Sequence, residues 1–163
     1  MKAALIYYSL EGNTELIANI ISDKISVDLI KLIPKEEINK EGFMRYVWGG
    51  KSVILKEKPE LVNKDINLDP YDTIIFGTPI WAGGFTPVIL SFLTKYKIRD
   101  KKILIYACNR GGSSQKCFSN FKDHLRENTI LETIEFKEPK DQDRKVLSEK
   151  LDGFLKNIDK KKD

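Results

Sequence analysis

The chain has 163 residues, 41% of them hydrophobic, which is enough to bury one substantial core and predicts a single domain over residues 1–163. No apolar stretch approaches the ~20 residues that span a bilayer, and no secretory signal is visible, so we expect a cytoplasmic protein. The 28 basic residues are interleaved with 24 acidic ones, so the net charge of +4 indicates neither nucleic-acid nor membrane binding, and two cysteines are too few for a disulfide framework.

From the N-terminus onwards, apolar runs alternate with amphipathic stretches. Lys2–Tyr7 predicts a buried strand, and Thr14–Ile25 predicts a helix because its isoleucines recur at helical spacing. The pattern then repeats. Val27–Ile33 predicts a second strand and Thr73–Gly77 a third. The first half of the chain is therefore built from strands and helices in alternation.

The second half continues this alternation. Thr86 and Pro87 have the residue types of a helix N-cap and first helical position, and the helix is expected to run through Lys95. Lys102–Ala107 predicts a fourth strand and Ile130–Phe136 a fifth. Two more helices are indicated by apolar residues on one face: Phe118, Phe121 and Leu125 in the first, and Leu147, Leu151, Phe154, Leu155 and Ile158 in the second.

Continuously apolar strands, each followed by a helix, are typical of a parallel sheet covered on both faces. The sequence therefore predicts a doubly wound α/β domain with five parallel strands. Such folds bind ligands outside the carboxyl ends of their strands, near the point where the strand order reverses. The loops to consider are Tyr8–Thr14, Thr78–Phe85 and Cys108–Ser114.

The first of these loops, YYSLEGNT, has the composition of an anion-binding corner. Ser9, Asn13 and Thr14 offer polar side chains, and Gly12 allows the backbone to approach a ligand closely. The following helix points free N–H groups at the corner. The alternative is that these residues only cap the helix. The loop is not a Rossmann fingerprint, and the stretch Gly49–Ser52 is not a Walker motif.

The other two loops combine small residues with polar or aromatic ones. Trp81 is followed by Ala82, Gly83 and Gly84, so its ring could face a flat ligand while backbone amides reach the edge of that ligand. A lone tryptophan could equally be part of the core. The third loop, CNRGGSS, offers backbone N–H groups on glycines, or it simply forms a turn before a helix.

Taken together, SLEGNT, TPIWAGG and NRGGS resemble the three flavin-binding loops of the flavodoxin family. The resemblance implies the sheet order 2-1-3-4-5 and an FMN cofactor. Its phosphate would lie in the first loop, its ring would stack on Trp81, and the third loop would lie at the ring edge. The cofactor-binding residues implied in this way are Ser9, Leu10, Glu11, Gly12, Asn13, Thr14, Thr78, Pro79, Ile80, Trp81, Ala82, Gly83, Cys108, Asn109, Arg110, Gly111, Gly112 and Ser113.

The chain also departs from the pattern of that family. Strand five lacks the long insertion of long-chain flavodoxins, and an extended segment between strands two and three carries Phe43, Tyr46 and Trp48. These aromatic residues could cover the flavin, line a substrate pocket or pack within the segment. Electron-carrying flavodoxins are typically acidic, and this chain is not. We therefore expect redox partners with acidic docking surfaces.

Three functions fit the sequence. The favoured one is a monomeric FMN-dependent electron carrier between redox proteins. The second is an NAD(P)H-dependent FMN or quinone reductase in which the aromatic segment forms the substrate pocket, and the third is a non-redox module that binds a phosphorylated ligand. Whether the protein is an enzyme stays open, because no catalytic residue set and no metal ligands are apparent. His124, alone on a predicted amphipathic helix, is expected to be a surface residue.

Overall fold

The computed structural model of the protein describes residues 2–36 and 58–158. The strands are β1 (Ala3–Tyr7), β2 (Asp28–Lys31), β3 (Thr73–Pro79), β4 (Lys102–Asn109) and β5 (Thr129–Lys137). The helices are α1 (Asn13–Lys24), α2 (Pro87–Lys95), α3 (Gln115–His124) and α4 (Arg144–Leu155), with a single 3₁₀ turn at Pro139–Asp141.

The five strands form one parallel sheet in the order β2-β1-β3-β4-β5. This confirms the predicted doubly wound fold and its strand order. The central strands β1, β3 and β4 are almost wholly buried, whereas β2 at one edge is mostly exposed. Continuous apolar runs mark the central strands because helices cover both of their faces.

Alternate residues of each strand supply two separate cores. On one face, Ala4, Ile6 and Phe76 pack beneath α2 and α3. On the other face, Leu5 and Tyr106 pack beneath α1 and α4. The period of two in a strand sends neighbouring side chains to opposite faces, and the helices fill each side with their apolar stripes.

The helices differ in how their first turns are satisfied. The Thr86 hydroxyl accepts a hydrogen bond from the Ile89 amide and Pro87 follows it, as predicted for the start of α2. At α4, the Asp143 carboxylate accepts hydrogen bonds from the Lys145 and Val146 amides. Helix α1 has no side-chain cap from its N-cap residue, Gly12. The N-terminus of α1 is therefore left with donors for another partner.

The predicted element boundaries differ from the observed ones by a few residues. Strand β3 continues to Pro79 and β4 to Asn109, because both ends still pair with a neighbouring strand. Strand β2 is shorter than the predicted Val27–Ile33. Phe43, Tyr46 and Trp48 lie outside the described residues. Within the described ranges, none of the helices has the length and apolar character needed to cross a membrane.

Candidate functional site

The carboxyl ends of β1, β3 and β4 lie side by side, and the loops that leave them enclose a cavity of about 550 Å³. This volume is in the range of small-molecule binding sites. All but two of the predicted cofactor residues line the cavity: Ser9, Leu10, Glu11, Asn13, Thr14, Pro79, Ile80, Trp81, Ala82, Gly83, Cys108, Asn109, Arg110, Gly111, Gly112 and Ser113.

Thr78 and Gly12 are the two predicted residues that do not line the cavity. Thr78 is fully buried, and its hydroxyl donates to the Pro79 carbonyl at 2.9 Å and accepts from the Thr86 amide at 3.4 Å. The Thr78 hydroxyl therefore holds the turn before α2, and whether the residue contacts a cofactor stays a prediction. Gly12 shapes the first loop through its left-handed backbone conformation.

Ser9 holds the first loop in shape without a ligand. Its Oγ accepts hydrogen bonds from the amides of Gly12, at 3.1 Å, and Glu15, at 3.2 Å. Gly12 itself has φ +89°, which is in the left-handed region that favours glycine. Helix α1 then begins at Asn13. The loop is consequently preformed by its own hydrogen bonds.

Several donors in this loop have no acceptor in the part of the chain that the structure describes. The amides of Leu10, Glu11, Asn13 and Thr14 form no hydrogen bond there. The Thr14 hydroxyl also has no hydrogen-bond partner there, although the residue is only 1% exposed. Buried polar atoms normally find a partner, and free amides at a helix N-terminus attract anions. The loop thus has the donors that a bound anion would satisfy.

Cys108 lies beside Thr14 at the end of β4. Burial raises the pKa of the Cys108 thiol to about 12, and its proximity to the Thr14 hydroxyl offsets only part of that rise. The contact between the two side chains lacks ordinary hydrogen-bond geometry, so the Thr14 hydroxyl stays without a hydrogen-bond partner among the described residues. With its pKa raised in this way, the Cys108 thiol is protonated near neutral pH, and a protonated thiol is a poor nucleophile.

On the outer side of the first turn, Glu15 is held by two neighbours. Its carboxylate accepts a hydrogen bond from Lys31 Nζ at 2.9 Å and from the Tyr7 hydroxyl at 3.3 Å. The Lys31 hydrogen bond lowers the pKa of Glu15. Burial and the Glu15 carboxylate raise the pKa of Tyr7 to about 12. The negative charge of Glu15 in the first turn of α1 is therefore already paired with a lysine.

The second loop contains a tight turn at Trp81–Gly84. The amides of Trp81 and Gly84 each donate to the carbonyl of the other at 3.0 Å. Ala82 and Gly83 both have positive φ, as this kind of turn requires. Trp81 is only 8% exposed, and its ring lies nearly perpendicular to that of Tyr8, with 5.8 Å between the ring centroids. Trp81 thus both lines the cavity and belongs to the core.

The third loop is tied to the end of β5. Asn109 accepts a hydrogen bond from the Gly111 amide at 3.1 Å and donates to Ser114 Oγ at 3.3 Å. The Ser114 amide donates to the Glu135 carboxylate at 3.2 Å. Gly111 and Gly112 have positive φ, so glycine is required at both positions. The loop is therefore held in shape by its own side chains and by Glu135 of β5.

Two basic residues contact the first loop, and the sequence analysis predicted neither contact. Arg110 forms an ion pair with Glu11 at 2.6 Å, which joins the first and third loops at the cavity. Lys140, in the turn after β5, donates from its amide to Asn13 Oδ1 at 3.1 Å and from its ammonium to the Glu11 carbonyl. These partners are far apart in sequence, so no local pattern indicates them.

Two further observations concern the surroundings of the cavity. Across the described residues, no group of His, Cys, Asp or Glu side chains is arranged to hold a metal ion. His124 is exposed, and its Nδ1 lies 2.8 Å from the Asn120 carbonyl oxygen, away from the cavity lining. The cavity combines an end whose backbone amides are unpaired among the described residues with apolar walls from Leu10, Ile80 and Trp81. It suits a ligand that carries a phosphate and a flat, apolar ring system.

The sequence model of the family described as flavodoxin matches residues 2–158. No curated protein sequence matches the chain.

Similar folds occur among solved structures. A Bacteroides eggerthii protein, provisionally described as a flavoprotein, is 21% identical with a TM-score of 0.77, over 94% of this chain and 98% of its own. A Lactobacillus acidophilus flavoprotein in complex with FMN is 21% identical with a TM-score of 0.66, over 82% and 92% of the two chains. A two-electron reduced flavodoxin of Megasphaera elsdenii is 19% identical with a TM-score of 0.57, over 90% and 93%. At these identities the likeness shows a common fold.

Proposed function

The chain belongs to the flavodoxin family, and we propose that it binds FMN and carries electrons between redox partner proteins. The observation that carries this proposal is the first loop. There, free amides and the buried Thr14 hydroxyl lie at one end of a cavity whose walls are largely apolar. A ligand with a phosphate at one end and a ring system at the other would satisfy both parts of the site. FMN bound there would supply the redox chemistry.

Each of the three loops would contact a different part of FMN. The amides of Asn13 and Thr14, with the Thr14 hydroxyl, would bind the phosphate. In the third loop, the Gly111 amide is already engaged by Asn109, but those of Gly112 and Ser113 donate to none of the described residues. These two amides and that of Arg110, which also donates to none of the described residues, would serve the polar edge of the ring.

Trp81 would form an apolar wall for the ring system. With the residue 8% exposed, full stacking requires the indole to turn outwards from its edge contact with Tyr8. The Trp81–Gly84 turn would carry this movement, because Ala82 has an unfavourable φ of 49° that a change of the turn would relieve. The two backbone hydrogen bonds that close the turn would have to break. Stacking on Trp81 therefore stays a prediction of this proposal.

A lysine side chain lies against each of the three loops, which supports docking to an acidic partner. Lys140 lies at Gly12, Lys116 at Gly83 and Lys137 at Gly111, and all three are exposed. Among the described residues, none of them forms an ion pair with an acidic side chain. Surface charges of this kind accelerate encounter with a partner of opposite charge and are screened by salt.

The proposal is tested by anaerobic mixing of the FMN-loaded protein with NADH or NADPH, followed by addition of a separate flavoprotein reductase. We expect negligible bleaching of flavin absorbance with the nicotinamide alone, and rapid bleaching once the reductase is present. Rapid reduction by the nicotinamide alone, with turnover onto a quinone, would instead establish the reductase function. Binding of phosphorylated ligands without any flavin would establish the non-redox function.

The docking surface has its own test in the same assay. Lys116→Glu should slow reduction by an acidic reductase and weaken its dependence on salt. Lys156→Glu changes the net charge equally. Lys156 follows the last residue of α4 and does not line the cavity, which lies at the carboxyl ends of the strands. Equal effects of the two substitutions would contradict docking over the cavity.

A further inference from the structure

Tyr106 reaches the first loop from two strands away. It lies on β4, where its register partner on β3 is Gly77, and Gly77 in turn pairs with Tyr7 on β1. A Cβ atom on Gly77 would come within 2.2 Å of the Tyr106 Cζ and hydroxyl oxygen. The tyrosine ring therefore crosses β3 through space that only a glycine leaves open.

The ring delivers its hydroxyl to the start of α1. The Tyr106 hydroxyl donates a hydrogen bond to the Thr14 carbonyl oxygen at 2.9 Å. Tyr106 is completely buried, and burial raises its pKa well above the ordinary value, so the hydroxyl stays protonated as a donor. Packing on the α1 and α4 face of the sheet fixes the ring, which makes this link rigid.

We propose that Tyr106 is a positioning residue for the anion site. By holding the Thr14 carbonyl, it fixes the first turn of α1 so that the Thr14 hydroxyl and the amides of Asn13 and Thr14 point as a preformed set into the cavity. The proposal rests on the FMN function proposed above. Helix ends fray readily, and a site that must be ordered when the ligand binds has a lower affinity than a preformed one.

Other residues hold the same turn from different sides. Ser9 fixes the loop from its N-terminal side, and Glu15 is held from the outer surface by Lys31 and Tyr7. From the sheet side, Tyr106 is the described residue that hydrogen-bonds to the Thr14 backbone. Removal of its hydroxyl would leave the ring and the packing in place but release the turn on that side.

The test is Tyr106→Phe, with affinities of the apo-protein measured for FMN and for riboflavin, which lacks the phosphate. We expect FMN affinity to fall about tenfold, equivalent to about 1.4 kcal/mol, with riboflavin affinity unchanged within twofold. A purely structural role would lower both affinities together or neither. The preference for FMN over riboflavin is therefore the decisive quantity.

Tyr96→Phe is the matched control. The Tyr96 hydroxyl accepts a hydrogen bond from the Ile66 amide at 3.1 Å, and Tyr96 does not line the cavity. This variant should lose some stability in urea unfolding but keep the full preference for FMN. An unchanged preference in Tyr106→Phe would overturn the proposal.

Hydrogen exchange of the apo-protein separates this inference from the FMN function. Tyr106→Phe should speed exchange of the α1 amides at residues 16–18 by about tenfold more than exchange in α2. Unchanged exchange in α1 would overturn the positioning role even if FMN binds. If the wild-type protein bound FMN no more tightly than riboflavin, the proposed phosphate site would fail, and the exchange data would still decide whether Tyr106 fixes the turn.

Discussion

Gly77→Ala tests the packing of the Tyr106 ring against β3, beneath the candidate site. The new methyl group would lie 2.2 Å from the Cζ and hydroxyl oxygen of Tyr106 and 2.6 Å from its Cε1, well inside any real carbon contact. The ring is fully buried and cannot move aside cheaply. Overpacking of a tight core costs about 1–3 kcal/mol, and the displaced hydroxyl also loses a hydrogen bond worth about 1 kcal/mol. We expect the free energy of unfolding to fall by about 3 kcal/mol.

Urea unfolding of the apo-protein measures this loss, and two further variants show its origin. Gly153, on α4, has no atom within 4 Å of the position that a new methyl group would take, so Gly153→Ala should stabilise the helix by up to about 1 kcal/mol. Tyr106→Leu removes the clashing atoms, so Gly77→Ala should cost at least about 1 kcal/mol less in that background. A cost for Gly77→Ala below about 0.5 kcal/mol, or an equal cost in both backgrounds, would refute the reasoning.

Three further predictions concern the site and its thiols. Gly12→Val places a β-branched residue at φ +89°. FMN affinity should therefore fall, while the free energy of unfolding of the apo-protein in urea changes by only about 1–2 kcal/mol. Unchanged FMN affinity would contradict phosphate binding by the first loop. Trp81→Ala should reduce both the quenching of flavin fluorescence and the FMN affinity. It should also destabilise the apo-protein by about 3 kcal/mol, because Trp81 is part of the core. Unchanged quenching and unchanged affinity would contradict a contact between Trp81 and the flavin. Burial raises the pKa of Cys108 and of Cys117 from 9.0 to about 12. Native thiols should therefore react slowly with Ellman's reagent at pH 8 and rapidly in urea, and the stability that they contribute should be lost as pH rises from 9 towards 12. Fast reaction of the native protein at pH 8 would contradict this burial.

The fold and the position of the cavity were predictable for the same physical reason. Apolar runs such as Lys102–Ala107 can be buried on both faces only in a parallel sheet, and a parallel sheet brings the carboxyl ends of its strands to one edge. Local signals also sufficed where the interaction itself is local. The Thr86–Pro87 start of α2 is an example, since the N-cap hydrogen bond joins residues three positions apart.

Contacts between distant residues were not predictable in this way. Tyr106 sits in a run that indicates only a buried strand, and nothing in the sequence shows that its hydroxyl reaches Thr14. Arg110 and Glu11 are likewise joined only by the fold. The resemblance places Thr78 among the cofactor residues, but nothing in the sequence shows that its hydroxyl bonds to the Pro79 carbonyl and the Thr86 amide and so holds the turn before α2. Tertiary geometry decides these roles, and composition does not encode it.

The central claim is that the first loop recognises the phosphate of FMN. The most direct measurement is a fluorescence titration of the apo-protein with FMN and with riboflavin under the same buffer and salt. Charge-assisted hydrogen bonds from the free amides and the Thr14 hydroxyl should each contribute about 1.5–3 kcal/mol. We therefore predict that FMN binds at least about a hundredfold more tightly than riboflavin, with its fluorescence quenched. Equal affinity for the two flavins, or binding of neither, would contradict the account.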